Sequence, residues 1–155
     1  MFDYDARIFR PVANSEGGDV NGETKFHYHQ RDNIVWATYA GGSVVFGTLL
    51  AKVDASGNMD MRYQHVSVDG NFKSGHCQSR PETLPDGRVR LHEQWEWTDG
   101  AEGQGVSIIE EIRANENSLP ALVLLATHLR HVALTGSCLC QIKLSRPQRS
   151  RTPRT

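Results

Sequence analysis

Seven clusters of turn-forming residues divide the first 112 residues at nearly even intervals, and this spacing constrains the fold more than any other feature of the chain. They are Asn14-Ser15-Glu16-Gly17-Gly18, Arg31-Asp32-Asn33, Gly41-Gly42, Ala55-Ser56-Gly57-Asn58, Asp69-Gly70-Asn71, Pro85-Asp86-Gly87 and Thr98-Asp99-Gly100-Ala101-Glu102-Gly103. Gly and Asn supply the positive φ that tight hairpins need, and Pro presets the first turn position. Eight runs remain, at about 3–12, 20–30, 33–40, 43–53, 59–68, 71–79, 87–97 and 104–112. They show period-two alternation or β-branched and aromatic enrichment, without the i, i+3, i+4 recurrence of an amphipathic helix. In the seventh, Val89, Leu91, Glu93, Trp95 and Trp97 share one face and Arg88, Arg90, His92, Gln94 and Glu96 the other. In the third, Val35, Ala37 and Tyr39 oppose Trp36 and Thr38; in the fifth, Met59, Met61, Tyr63 and His65 oppose Asp60, Arg62 and Gln64.

Eight antiparallel strands joined by short hairpins leave two unpaired edges unless the sheet closes. The expected fold is therefore all-β, an eight-stranded antiparallel up-and-down barrel, whose interior is just wide enough for side chains or one small ligand. A sandwich is the alternative, but its crossing connections usually need longer loops than these.

Composition sets the limits of this domain. The chain has 155 residues, 38% hydrophobic and 23% charged, with a net charge of -1, the profile of one soluble domain. No apolar run approaches the roughly 18 residues of a membrane helix, and the acidic start Met1-Phe2-Asp3-Tyr4-Asp5 is unlike a secretory signal, so the expected location is cytoplasmic, with no membrane partner. Residues 1–112 hold 10 Lys and Arg against 17 Asp and Glu, whereas residues 113–155 hold 7 against 1. All twelve aromatic residues, and every glycine but Gly136, precede residue 113. A barrel domain over 1–112 and an extension over 113–155 follow. Asn117 or Ser118 as N-cap, Pro120 in the first turn and Gly136 as a stop predict a helix over 118–135, the alternative being a poorly ordered appendage, acquired or out of frame. The basic, Pro-containing residues 143–155 read as a disordered tail. The acidic balance of the first segment argues against a nucleic-acid surface. Cys77, Cys138 and Cys140 form neither a disulfide scaffold nor a zinc signature.

Phe9-Arg10-Pro11-Val12-Ala13-Asn14-Ser15-Glu16, Glu23-Thr24-Lys25-Phe26-His27-Tyr28, Tyr39-Ala40-Gly41-Gly42, Met61-Arg62-Tyr63-Gln64-His65, Gly75-His76-Cys77 and Arg90-Leu91-His92-Glu93-Gln94-Trp95-Glu96-Trp97 occur in that order. With them the chain resembles, over about residues 2–112, a family of small, mostly bacterial proteins that often carry the name N-acetylglutamate synthase and look similar to avidin-like or lipocalin-like barrels. The resemblance implies a barrel. The name would imply acetyl transfer from acetyl-CoA, which calls for a strand leading into a helix N-terminus that cradles the pyrophosphate. Gly41-Gly42 leads instead into the strand-like Ser43-Val44-Val45-Phe46.

Glu93 is the most informative residue, because its parity places a carboxylate among Val89, Leu91, Trp95 and Trp97, where isolation raises the pKa. It is a candidate acid or base, a ligand contact, or a structural carboxylate paired with an Arg or a tyrosine hydroxyl. Tyr39, Met61, Tyr63, Trp95 and Trp97, with Met59, would line an apolar pocket or simply pack the core. His65 shares the inward parity and can meet a ligand or Glu93, or be a satisfied core histidine. His27 and His29 have the i, i+2 spacing of two metal ligands on one strand face, but Phe26 and Tyr28 compete for that face. Cys77 is a lone thiol without an evident base. No cofactor is expected. The leading expectation is a barrel that binds a small molecule, apolar or aromatic with one polar group. The alternatives are a proton-transfer enzyme (isomerase or lyase type) using Glu93, and a homo-oligomeric module with Trp36 and Phe46 on its outer face.

Overall fold

The computed structural model describes residues 2–100 and 103–113. Eight strands follow in chain order: β1 (Ile8–Asn14), β2 (Lys25–Arg31), β3 (Ile34–Gly41), β4 (Val44–Val53), β5 (Met59–Ser67), β6 (Phe72–Thr83), β7 (Val89–Trp97) and β8 (Gln104–Glu111). Each pairs antiparallel with the next, and β1 pairs with β8, so the sheet closes into an up-and-down barrel without free edges. The helix expected at 118–135 and the tail at 143–155 lie outside the described residues.

Alternation builds the core. On β7, Val89, Leu91 and Trp95 are buried, and on β3 Val35, Ala37 and Tyr39. Fully burying side chains such as Leu91 and Ile109 stabilises the fold by about 1.5–3 kcal/mol each. The outward positions carry ladders of charge: Arg90 bonds Glu110 at 2.6 Å, and His92 bonds Glu82 at 2.7 Å.

Three strand limits differ by four residues or more from those the sequence suggests. β1 begins at Ile8, because Asp3–Arg7 fold into a turn in which Asp5 N donates to Asp3 Oδ1 (2.9 Å) and Arg7 Nε to Asp3 O (2.7 Å). β2 begins at Lys25, because Asn21–Thr24 form another turn, with Thr24 N donating to Asn21 O at 2.9 Å. β6 continues through Pro81 to Thr83, since proline's fixed φ suits extended chain and Glu82 is drawn across to Arg90 and His92.

The turn at residues 3–7 has a larger effect. It places Tyr4, fully buried, in the end of the barrel where β2 meets β3 and β4 meets β5, and the Tyr4 hydroxyl donates to Gly57 O at 2.6 Å. Phe2 packs 4.9 Å from the Tyr4 ring and so close to Gly57 that a Cβ there would lie 2.8 Å from Phe2. Gly57 also has a φ of 88°, so both the turn and the seal call for glycine.

Candidate functional site

The other end is different. Tyr39, Met61, Tyr63, His65, Glu93, Trp95 and Trp97 together line a cavity of about 60 Å³, joined by Phe26, Leu49, Cys77 and Ser107 and covered by Asn14, Gly18, Asp19 and Val20 of the β1–β2 connection. Met59, though buried, does not line it. The barrel interior is thus mostly filled, with a small space left at one end.

Three of the aromatic walls share a construction. Tyr39 lies opposite Gly47 across β3 and β4, Tyr63 opposite Gly75 across β5 and β6, and Trp95 opposite Gly105 across β7 and β8. A Cβ at Gly47 would come within 2.3 Å of the Tyr39 ring, one at Gly75 within 2.2 Å of the Tyr63 hydroxyl, and one at Gly105 within 2.5 Å of Trp95. Each ring therefore lies flat on bare backbone, the close approach that a strand glycine permits. The indoles are fixed from above: Trp95 Nε1 donates to Asn14 Oδ1 at 3.1 Å and Trp97 Nε1 to Gly17 O at 3.2 Å.

Glu93 sits in the inner wall between two serines, opposite Ser79 on β6 and Ser107 on β8. Its partner is not the Arg or Tyr expected but Ser107, whose Oγ donates to Oε2 at 2.7 Å. No Lys, Arg or His among the described residues pairs with it. Burial pushes its carboxyl up to about 7 from an ordinary value near 4.5, against the smaller opposing effect of the Ser107 hydrogen bond. The exposure that remains to it faces the cavity it lines.

His65 does not reach Glu93. Its Nδ1 lies 3.0 Å from the Tyr39 hydroxyl and its Nε2 3.0 Å from Asp19 Oδ2, while Lys73 Nζ lies 2.9 Å from the same carboxylate. An Asp19 carboxylate paired with Lys73 has no proton to give, so His65 Nε2 carries the hydrogen. Lys73 Nζ also stands 4.9 Å over the Trp97 ring. Asp19 went unrecognised in the sequence because it lies in a loop. The one available signal was the adjacent Gly17-Gly18, which lets that loop fold back over the barrel.

The remaining candidates separate from the site. Phe26 and Tyr28 take the inward positions of β2, so His27 and His29 face outward, where His29 stacks on Trp36 at 5.6 Å; among the described residues they join no group of three or more His, Cys, Asp or Glu able to hold a metal ion. Cys77 is buried at the cavity wall, and burial pushes its thiol far above the ordinary range, which leaves it a wall atom and not a nucleophile. Trp36 and Phe46 are outward, 40% and 54% exposed.

Closed antiparallel strands, a sealed end and an aromatic cavity at the opposite end define an up-and-down barrel of the cup-shaped kind. A protein-family model described as avidin-like protein matches residues 2–112, and the chain belongs to that family. No curated protein and no solved structure matches it.

Proposed function

We propose that the barrel binds a small molecule whose apolar or aromatic body lies against Tyr39, Tyr63, Met61, Trp95 and Trp97 and whose polar group meets Glu93. One observation carries this reading: a carboxyl with a single hydrogen-bond partner stands in the wall of an aromatic cavity, where its burial is costly unless a further group engages it. The free volume of about 60 Å³ is less than half of the roughly 150 Å³ that admits benzene. An occupant of more than a few atoms therefore needs more room than the cavity now holds. Native mass spectrometry of gently purified protein, with tryptophan fluorescence titrations against cell metabolites, tests the reading. A stoichiometric adduct that alters Trp95 and Trp97 emission is expected; a bare mass and unresponsive fluorescence overturn it.

A second reading rests on Glu93 alone. A carboxyl at about 7 is matched to general acid–base work at neutral pH, so proton transfer on the same ligand is supported. Glu93→Gln would then abolish turnover and spare binding. The outer face supports assembly as well, since Phe46, Val66 and Phe72 lie in one row across β4, β5 and β6 with Phe46 and Phe72 exposed. Light scattering decides that point. Acetyl transfer is no part of this reading: Gly41-Gly42 joins β3 to β4, and every connection among the described strands leads to another strand.

A further inference from the structure

We propose that the occupant of the cavity is a monocationic amine, a small molecule with an apolar body and one ammonium group that meets Glu93. This rests on the binding reading above and gives its ligand a chemical class.

Charge accounting comes first. At the mouth, Asp19 is already matched by Lys73 and His65. Glu93 has only the neutral Ser107 hydroxyl, so of the two carboxyls that line the cavity it is the one without a cationic partner among the described residues. An anionic occupant would set like charge against it in a low-dielectric wall. The walls are also suited to a cation. Ammonium groups are attracted to the faces of Trp and Tyr, and Lys73 already holds that position over the outer side of the site at Trp97.

Two orphaned hydroxyls complete the argument. Tyr28 Oη and Ser79 Oγ are buried without any hydrogen-bond partner. Ser79 stands directly opposite Glu93 in the β6–β7 ladder. The Tyr28 phenol is close enough for a charge on Glu93 to add to the rise in its pKa, after the larger effect of burial. Neither hydroxyl lines the cavity as it stands; Ser79 is the ladder neighbour of Glu93 and Tyr28 lies within reach of its charge. An ammonium has three N–H donors and no acceptor; its complement is a group of oxygens able to accept, of which the cavity presents Glu93 directly, while Ser79 and Tyr28 add theirs once the occupant reaches past the present wall. A neutral alcohol would need only one of them.

The occupant's charge also replaces a proton. In the free protein below pH 7, burial favours the protonated Glu93; with an ammonium bound, the carboxylate is the favoured form, and at pH 6 about one proton leaves to solvent. The titratable groups that share the interior with Glu93 are Tyr4 of the N-terminal turn, Asp19 of the β1–β2 connection, Tyr28 on β2, Tyr39 on β3, Tyr63 and His65 on β5, and Lys73 and Cys77 on β6.

The test compares benzylammonium and n-butylammonium with benzyl alcohol and 1-butanol. Binding to the full chain carrying Trp36→Phe, so that Trp95 and Trp97 report, is followed by fluorescence from pH 5 to 8. The amines are expected to bind more tightly than the alcohols, and to weaken roughly a hundredfold between pH 8 and pH 5 as Glu93 takes up its proton. Glu93→Gln is expected to lose amine binding and this pH dependence while alcohol binding persists. Calorimetry on the unaltered protein at pH 6, in two buffers of different ionisation heat, should count about one proton released per amine bound, a readout that needs no variant. If the alcohols quench Trp95 and Trp97 as strongly as the amines, or no proton is released, the amine assignment is wrong and the binding pocket stands. If none of the four compounds changes the emission at any concentration, the pocket reading fails together with it.

Discussion

Gly47→Ala is the sharpest test of how the cavity wall is built. In an ordinary strand, replacing glycine by alanine is favourable by roughly 0.5–1 kcal/mol, because glycine loses more conformational freedom on folding. Here the sign should reverse. The new Cβ would stand 2.3 Å from Tyr39 Cζ and 2.5 and 2.6 Å from its two Cε atoms, so the ring must retreat by about 1 Å to reach the ~3.5 Å of ordinary carbon contact. Retreat is resisted on two sides, by Phe26 stacked 4.7 Å away and by the hydroxyl's contacts to His65 Nδ1 at 3.0 Å and Gln64 O at 3.2 Å. Overpacking costs about 1–3 kcal/mol and a broken buried hydrogen bond about 1 kcal/mol; less the alanine gain of roughly 0.5–1 kcal/mol, the expected net loss is roughly 1–3.5 kcal/mol, read from urea unfolding. The cause is isolated by repeating the change in a Tyr39→Ala background, where the clash has no partner and the penalty should nearly vanish. A neutral or stabilising Gly47→Ala, or an equal cost in both backgrounds, would refute the ring-on-glycine account.

Glu93 makes stability fall as pH rises. Its folded value of about 7 exceeds the ordinary 4.5, so the unfolded chain releases the proton first, and between those values about 3 kcal/mol of stability is lost, all of it present below pH 4.5. Urea midpoints across this range should converge with those of Glu93→Gln at low pH and diverge above neutrality; parallel curves would contradict the assignment. Tyr4→Phe deletes the hydroxyl that reaches Gly57 O and should cost about 1 kcal/mol, visible as a lower melting temperature, whereas an unchanged melt would show that the seal does not matter. With Cys138 and Cys140 replaced by Ser, Cys77 should react with a thiol reagent at pH 8 only after denaturant is added, and rapid labelling of the native protein would show that its burial is wrong. Barrel closure is complete at β8, with Ile112 N donating to Ile8 O at 2.8 Å. A chain ending at Arg113 is therefore expected to melt within a few degrees of the full one, and a larger drop would assign the extension a structural role.

The fold was legible because a barrel writes itself locally. Gly-rich turns mark the ends of strands, and alternation such as Val89, Leu91, Trp95 against Arg90, Gln94, Glu96 marks the inner face. Tyr39, Met61, Tyr63, His65, Glu93, Trp95 and Trp97 line one cavity for the same reason, while Met59 does not: inward parity near the same barrel end brings side chains from β3, β5 and β7 together. Parity does not say what an inward polar group bonds to, which depends on register between strands. Glu93 finds Ser107 and not an Arg, and His65 finds Asp19, forty-six residues away in a loop. Gly47, Gly75 and Gly105 were visible as glycines inside strand runs, yet their meaning appears only when each is seen across from an aromatic ring. Tyr4 was assigned to a strand because a short turn of Asp and Ala carries no stronger local mark than an extended segment does.

Tyr4 also determines how traffic reaches the interior. With its hydroxyl fastened to Gly57 O and Phe2 packed behind it, the barrel has a floor, and any molecule must enter and leave through the same doorway under Asn14, Gly18, Asp19 and Val20. On the binding reading proposed above, affinity and residence time would be governed by separate parts of the chain: the wall residues would set how strongly a guest is held, and the contacts of Asp19 to His65 and Lys73 would resist its passage. Loosening those contacts should quicken entry and exit together.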